Sequence, residues 1–319
     1  MIRAIQKIVV WTYKQKFSRS VIEKAAAHFP ARTNKLINEF LTTRPRTFNE
    51  HIRYRMVRSS GQLEIIFADK LSSKTHINSL LGRQNLTPTT LKIFSNATQM
   101  SAFDFPSEFV LKANHYSGGS VICWKGAPRN VKWSDSPFSR NMLNPNDLSP
   151  ELLVNFFQGV LRTTSKRFVF PEVPYENAKP AIILEELFQD EINGALPSDL
   201  KLFMFNGELK LIRFHTLESK ESLSKNIDEF DSDWRHLPNQ FYEPSKVFTN
   251  AHIRPQMPGF FPEILEVAKT LSSGIDFVRV DFLLTSQGYR VGELTSFPTA
   301  GLGRWKKGKI DHELGSLFR

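Results

Sequence analysis

The stretch Val278-Arg279-Val280-Asp281-Phe282-Leu283-Leu284, followed after Thr285-Ser286-Gln287-Gly288 by Tyr289-Arg290-Val291-Gly292-Glu293-Leu294-Thr295, decides how this chain is read. Alternation with period two puts Arg279 and Asp281 on one face of a strand and Val280, Phe282 and Leu284 on the other. The residues between the two runs are turn formers. On the returning strand Glu293 and Thr295 share a face, so Asp281 and Glu293 converge across a hairpin. Two facing carboxylates are hard ligands suited to magnesium. The same spacing also fits two acids on the wet face of an ordinary antiparallel hairpin.

Working back toward the N-terminus, Pro262 to Gly274 has proline near its start, glycine at its end and Ile264, Val267, Ala268 and Leu271 at helical spacing. Asp199 to Phe205 alternates, Asn206-Gly207 is a hairpin turn, and Lys210 to His215 returns. Asp199 and Lys201 share a face opposite Leu200 and Leu202, which by itself describes a surface ion pair. Ala181 to Leu184 reads as a buried strand ending in Glu185-Glu186-Leu187-Phe188. That end offers either a slot for a flat base or simply an exposed strand terminus. Ser149 and Pro150 cap a helix expected to run to about Lys166.

Phe109-Val110-Leu111-Lys112 is a strand entering Asn114-His115-Tyr116-Ser117-Gly118-Gly119-Ser120, and Val121 to Trp124 returns. Glycines let backbone amides approach an anion while Lys112 supplies charge. A plain glycine turn is the alternative. Asp69 is a good N-cap for a helix through Lys70, Lys74, Ile77 and Leu81 that stops at Gly82, and on that helix Lys70 is by default a solvated lysine. Residues 1–60 read as mostly helical, with Lys35 to Leu41 the clearest amphipathic piece and Arg44-Pro45-Arg46 a break.

The chain has 319 residues, 40% hydrophobic and 23% charged, a balance that supports a large core. No repeat or low-complexity tract is evident. Its net charge of +10 points to an anionic partner. Zinc-finger spacing, RNP-type aromatics and a long basic helix are missing, so no nucleic-acid partner is expected. The single cysteine, Cys123, fits a reducing compartment. No apolar run reaches the roughly 18 residues needed to span a bilayer, and Ile8 to Trp11 is too short for a signal peptide core, so the cytoplasm is expected. The basic, aromatic N-terminal segment leaves open either a weak peripheral membrane contact or a helix docked on the body.

In order, these pieces resemble the ATP-grasp superfamily: an Asp-Lys helix start, a strand ending in lysine before a Gly/Ser loop, a strand ending Glu-Glu-Leu, then Arg-x-Asp and Glu-x-Thr on neighbouring strands. Pro45-Arg46-Thr47-Phe48-Asn49-Glu50, Phe67-Ala68-Asp69-Lys70, Phe109 to His115, Lys201 to Gly207, Asp276 to Asp281, Gly292 to Thr295 and the tail Asp311-His312-Glu313-Leu314-Gly315 look like the branch typified by the teichuronopeptide biosynthesis protein. The resemblance runs from about residue 44 to the end.

It implies an α+β ATP-grasp fold with two subdomains clasping ATP and a mainly helical N-terminal extension. The expected division is 1–60 helical region, 61–187 N-terminal part with the glycine loop, and 188–319 C-terminal part with the metal hairpin. It further implies that Lys70 and Lys112 contact ATP phosphates and that His115, Ser117, Gly118, Gly119 and Ser120 fold over them. Glu185, Glu186 and Leu187 would hold adenine, with Asp199 near the ribose and Lys201 beside it. Asp281 and Glu293 would bind one or two Mg²⁺, with Thr295 as a further and poorer metal ligand where many relatives carry an Asn ligand. Arg279 would stabilise the reacting phosphoryl group or the later oxyanion, with Lys112 as its catalytic companion. Tyr116 stands where relatives carry glycine, so the loop is expected either to be stiffer or to cover the nucleotide with a ring.

The implied reaction is ATP-dependent ligation of a carboxylate to an amine through an acylphosphate. The implied substrates are a uronic acid of a cell-surface polysaccharide and an amine or amino acid. Arg304-Trp305-Lys306-Lys307-Gly308-Lys309, and Arg129, Lys132 and Arg140, fit either glycan contacts or a solvated basic surface. Phosphoryl transfer to a sugar, and a non-catalytic basic protein binding glycan or nucleic acid, are the competing readings. Nothing in the sequence fixes the oligomeric state.

Overall fold

The computed structural model of the chain describes residues 44–58, 61–83, 85–136, 139–163, 173–192, 194–219, 222–237, 254–303, 305 and 308–318. Most of the expected helical region 1–60, including Lys35 to Leu41, lies outside these residues, as do Arg304, Lys306 and Lys307 of the basic tail.

Two five-stranded sheets carry the fold. The first contains β1 (Thr90–Phe94), β2 (Phe109–Ala113), β3 (Ser120–Cys123), β4 (Arg140–Leu143) and β5 (Ile182–Glu185), in the order β1-β5-β2-β3-β4. Only β3 and β4 run parallel in it. The second contains β6 (Ser198–Phe205), β7 (Glu208–Ser219), β8 (Ser222–Phe230), β9 (Val278–Leu284) and β10 (Tyr289–Thr295), all antiparallel, in the order β10-β9-β6-β7-β8. The β6–β7 turn works because Asn206 and Gly207 both take positive φ, 49° and 83°, the geometry of a tight hairpin.

The helices follow from capping and apolar spacing. Among the described residues they are α1 (Phe48–Arg58), α2 (Gln62–Ala68), α3 (Lys70–Leu81), α4 (Pro150–Leu161), α5 (Phe261–Ser272) and α6 (Gly308–Gly315). In α4, Leu153, Phe156, Phe157 and Val160 recur at helical spacing and pack under the first sheet with Phe109, Leu111, Val121 and Leu184. In α5, Ile264, Ala268 and Leu271 meet Leu200, Leu202, Val280 and Phe282 of the second sheet. Among the described residues no helix is long and apolar enough to cross a membrane.

One expectation is corrected. The helix beginning at Ser149 and Pro150 ends at Leu161, short of the expected Lys166. The Thr163 hydroxyl donates back to the Gly159 carbonyl at 2.9 Å, and the Thr163 carbonyl faces His115 Nε2 at 3.1 Å. The chain therefore leaves the helix to serve the glycine loop.

The other face of the second sheet is divided. Asp199 and Lys201 occupy it at one end of β6, while Phe203 and Phe205 continue it beneath α1 and α6. There Phe48 forms an edge-on contact with Phe277 at 4.9 Å between ring centres. Polar residues thus lie at the end of the sheet that faces the first sheet, and an aromatic cluster seals the rest.

Candidate active site: the cleft between the sheets

The site is assembled from the N-terminus of α3. Asp69 caps that helix by accepting the Leu71 N–H at 3.1 Å and the Ser72 hydroxyl at 2.8 Å. Its carboxylate also accepts Asn114 Nδ2 at 2.9 Å, and the Lys70 N–H donates to the Asn114 carbonyl at 3.0 Å. The helix start and the loop after β2 are therefore one unit. Lys70 Nζ donates to the Tyr116 carbonyl at 2.7 Å. Burial, opposed in part by Glu293, lowers the Lys70 pKa from the ordinary lysine value.

In the loop, Gly118 and Gly119 take φ of 92° and 60°, a double left-handed step that side chains resist. Gly118 and Ser120 line the cleft, whereas Ser117 and Gly119 do not. His115 points away from it. The imidazole is buried, with Nδ1 3.0 Å from Asn114 Oδ1 and Nε2 3.1 Å from the Thr163 carbonyl. Burial holds its pKa below the usual histidine value. Tyr116 is fully buried in the first sheet's core, 4.8 Å from the His115 ring. Of the two expectations for this residue, the ring over the nucleotide is therefore overturned.

Glu185, 2% exposed, ends β5 between two lysines. Lys112 Nζ lies 2.7 Å from one carboxylate oxygen, and Lys74 pairs with the other. Lys74 Nζ also donates to the Pro88 carbonyl at 2.6 Å and to Thr90 Oγ1 at 2.9 Å. Sequence reasoning gave Lys74 no role. The signal was present, because residues four apart share a helix face and Lys74 follows Lys70 by one turn. Glu186 is held by exchange with Thr89, whose N–H donates to Glu186 Oε1 at 2.9 Å. Leu187, Phe188, Leu196 and Pro197 form an apolar end to the cleft, and the Arg290 guanidinium lies 4.8 Å over the Phe188 ring.

The opposite wall is the polar end of the second sheet. Lys201 Nζ stands 3.3 Å from Asp199 and 2.8 Å from Asp281. Arg279 grips Asp281 with two bonds of 2.6 Å and donates to the Thr295 hydroxyl at 3.1 Å. Burial would lower the Arg279 pKa, but the carboxylates of Asp281, Glu293 and Asp199 outweigh it and raise it. Glu293 is the register partner of Asp281 and lines the cleft with it. Among the described residues Glu293 makes no ion pair of its own.

The two walls enclose a cavity of about 290 Å³. It brings together Lys70, Lys112, Gly118, Ser120, Glu185, Glu186, Leu187, Asp199, Lys201, Asp281 and Glu293, while His115, Ser117, Gly119, Arg279 and Thr295 are not part of that lining. Arg140, read from sequence as a glycan contact or part of a solvated basic surface, joins the basic wall from β4. Among the described residues no three His, Cys, Asp or Glu side chains gather as a protein-only metal cage. Two facing carboxylates still suit magnesium, which is commonly held by one or two carboxylates and completed by phosphate oxygens.

No curated protein matches the chain. Solved structures similar to it include D-alanine-D-alanine ligase from Helicobacter pylori, at 14% identity over 80% of this chain and 62% of that one, TM-score 0.38. The ATP-grasp ligase PsnB with its minimal precursor is 10% identical over 80% and 61%, TM-score 0.40. L-amino acid ligase from Bacillus licheniformis is 12% identical over 91% and 56%, TM-score 0.40. The chain thus spans about three-fifths of the length of these ligases, and likeness at this level transfers neither residue roles nor substrates. The TupA-like ATPgrasp family model, in contrast, matches residues 50–319. The α+β ATP-grasp fold expected from the sequence is the observed one, and the chain belongs to the TupA-like ATP-grasp family.

Proposed function

We propose that this chain is an ATP-dependent carboxylate–amine ligase working through an acylphosphate. The supporting observation is the opposition of charge across one cleft, with Lys70, Lys112 and Arg140 on one wall and Asp281 and Glu293 on the other. An anionic triphosphate needs the first wall, and a divalent cation needs the second.

In this reading Lys70 and Lys112 bind phosphates, and the amides around Gly118 and Ser120 approach them through the positive-φ turn. Glu185, Glu186 and Leu187 hold adenine against the apolar end, and Asp199 with Lys201 stands at the ribose side. His115 supports the loop from beneath. Asp281 and Glu293 hold magnesium, which when bound offsets phosphate charge and orients the oxygens. Thr295 acts by fixing Arg279. Arg279 stabilises the charge that develops as the substrate carboxylate takes the γ-phosphoryl group and releases ADP, and again as the amine attacks the acyl carbon, displacing phosphate and leaving an amide.

We assign the carboxylate to a uronic acid of an anionic glycan, supported by the net charge of +10 and by the family. The single cysteine, Cys123, buried and unpaired, supports a reducing, cytoplasmic setting. The test is incubation with Mg-ATP, uronic acids and amino acids. ADP and phosphate release that requires both co-substrates supports ligation. A phosphorylated sugar as product sinks it.

A further inference from the structure

Two stretches that carry the family resemblance take no part in the nucleotide cleft: the one around Thr47 to Glu50, and the tail from Asp311. The fold brings them together. The Asn49 N–H donates to Asp311 Oδ1 at 2.9 Å across 262 residues of chain. Asn49 Nδ2 donates to the Gly303 carbonyl at 2.6 Å and, more weakly, to Asp311 Oδ2 at 3.4 Å. A second cavity of about 340 Å³ surrounds this junction, lined in part by Asn49, Glu50, Arg53, Gly301, Gly303 and Asp311.

The cavity combines one guanidinium with an acceptor that lacks a donor. Asn49 is 7% exposed, and its Oδ1 is buried without a hydrogen-bond partner. The two bonds from Nδ2 fix the amide, so the leftover atom is the oxygen. A buried acceptor without a donor is costly, which marks a place where a donor belongs. Two carboxylates, Glu50 and Asp311, stand against one guanidinium, and that guanidinium, Arg53, donates to the Gly301 carbonyl. In a chain of net charge +10, this cavity carries a local negative excess.

We propose that the cavity binds a primary ammonium group. Resting on the ligase reading above, we take that group to belong to the amine substrate. An ammonium brings three donors and one positive charge, which suits Asn49 Oδ1 and the two carboxylates; a carboxylate ligand would face two like charges, Glu50 and Asp311, against the single guanidinium of Arg53. A short segment of chain runs from the cleft's second wall to this cavity. Thr295, which holds Arg279, leads through Ser296 and Pro298 to Gly301, on the cavity wall.

The test measures the melting temperature of the full chain with ethylamine, L-alanine or propionate, each alone. Ethylamine and alanine should raise it by about 2–4 °C at a concentration tenfold above Kd, and propionate should leave it unchanged. Asp311→Asn, which keeps an acceptor for the Asn49 N–H, should weaken ammonium binding about tenfold. Stabilisation by propionate, none by either ammonium compound, or ammonium binding that Asp311→Asn leaves intact overturns the proposal. The ligase reading fails by a separate measurement, namely ADP release that never depends on an amine.

Discussion

Glu293 stands opposite Asp281 because β10 carries one extra residue, Gly292. The ladder pairs Tyr289 with Leu284, Arg290 with Leu283 and Val291 with Phe282, then shifts, so that Glu293 rather than Gly292 meets Asp281. Continued without the bulge, it would set Glu293 against Val280, on the core face.

A β-branched residue at the bulge favours the regular ladder. Gly292→Val should therefore lose magnesium-dependent nucleotide binding by tenfold or more. Gly292→Ala should be spared, since its Cβ would sit 3.4 Å from Leu283 Cγ, a contact that a small shift relieves. Titration of nucleotide with and without magnesium separates the two variants, and equal loss in both would refute the role given to the bulge.

The two carboxylates should respond differently to neutralisation. Asp281 is 4% exposed and answers both Arg279 and Lys201. Asp281→Asn removes the ion-pair partner of Arg279 and leaves Lys201 to Asp199 alone, and should cost about 3 kcal/mol of stability together with activity. Glu293→Gln breaks no direct ion pair but removes a charge that supports Lys70 and Arg279, so it should cost less stability than Asp281→Asn, about 1 kcal/mol, while kcat/KM falls on the order of 100-fold. Denaturant unfolding and ADP release, measured on both variants, check this contrast.

Nucleotide binding should take up protons at alkaline pH. Burial lowers the Lys70 pKa from 10.5, so this lysine begins to lose its proton below the ordinary lysine range. A bound triphosphate favours the cationic form and raises the pKa again. Affinity should fall as pH rises through the lowered value. Calorimetry in two buffers of different ionisation enthalpy reads the uptake directly, and Lys70→Met should reduce it, any remainder coming from Lys74, whose pKa burial also lowers.

Lys74 should act as a positioning residue through Glu185. With Lys74→Met the Glu185 carboxylate is left to Lys112 alone, which draws that lysine away from a phosphate. The expected result is an increase in the KM for ATP of about tenfold with little change in kcat, by loss of one charge-assisted contact. A fall in kcat at constant KM would place Lys74 elsewhere in the chemistry.

Much of the site was legible in the chain because its signals are local. Asp69 caps α3 and Gly82, with φ of 62°, ends it, as their residue types indicate. Alternation placed Asp199 and Lys201 together. Where a side chain's direction depends on distant partners, the sequence did not decide it. His115 and Tyr116 belong to the glycine-loop stretch, yet both turn into a core that includes α4, since Thr163 offers an acceptor there. Lys74 and Arg140 gained a place in the site only when segments far apart in sequence met.

By itself the sequence determined which stretches become strands, turns and capped helices, and which residue types could meet phosphate or magnesium, because periodicity and capping act over a few residues. Tertiary structure decided how they converge. Charges repel or bind only at contact distance, and packing two sheets across one cleft brings Lys70 and Lys112 to face Asp281 and Glu293. It likewise decided that Asn49 would meet Asp311, because packing α6 against α1 brings the two ends of the described chain together.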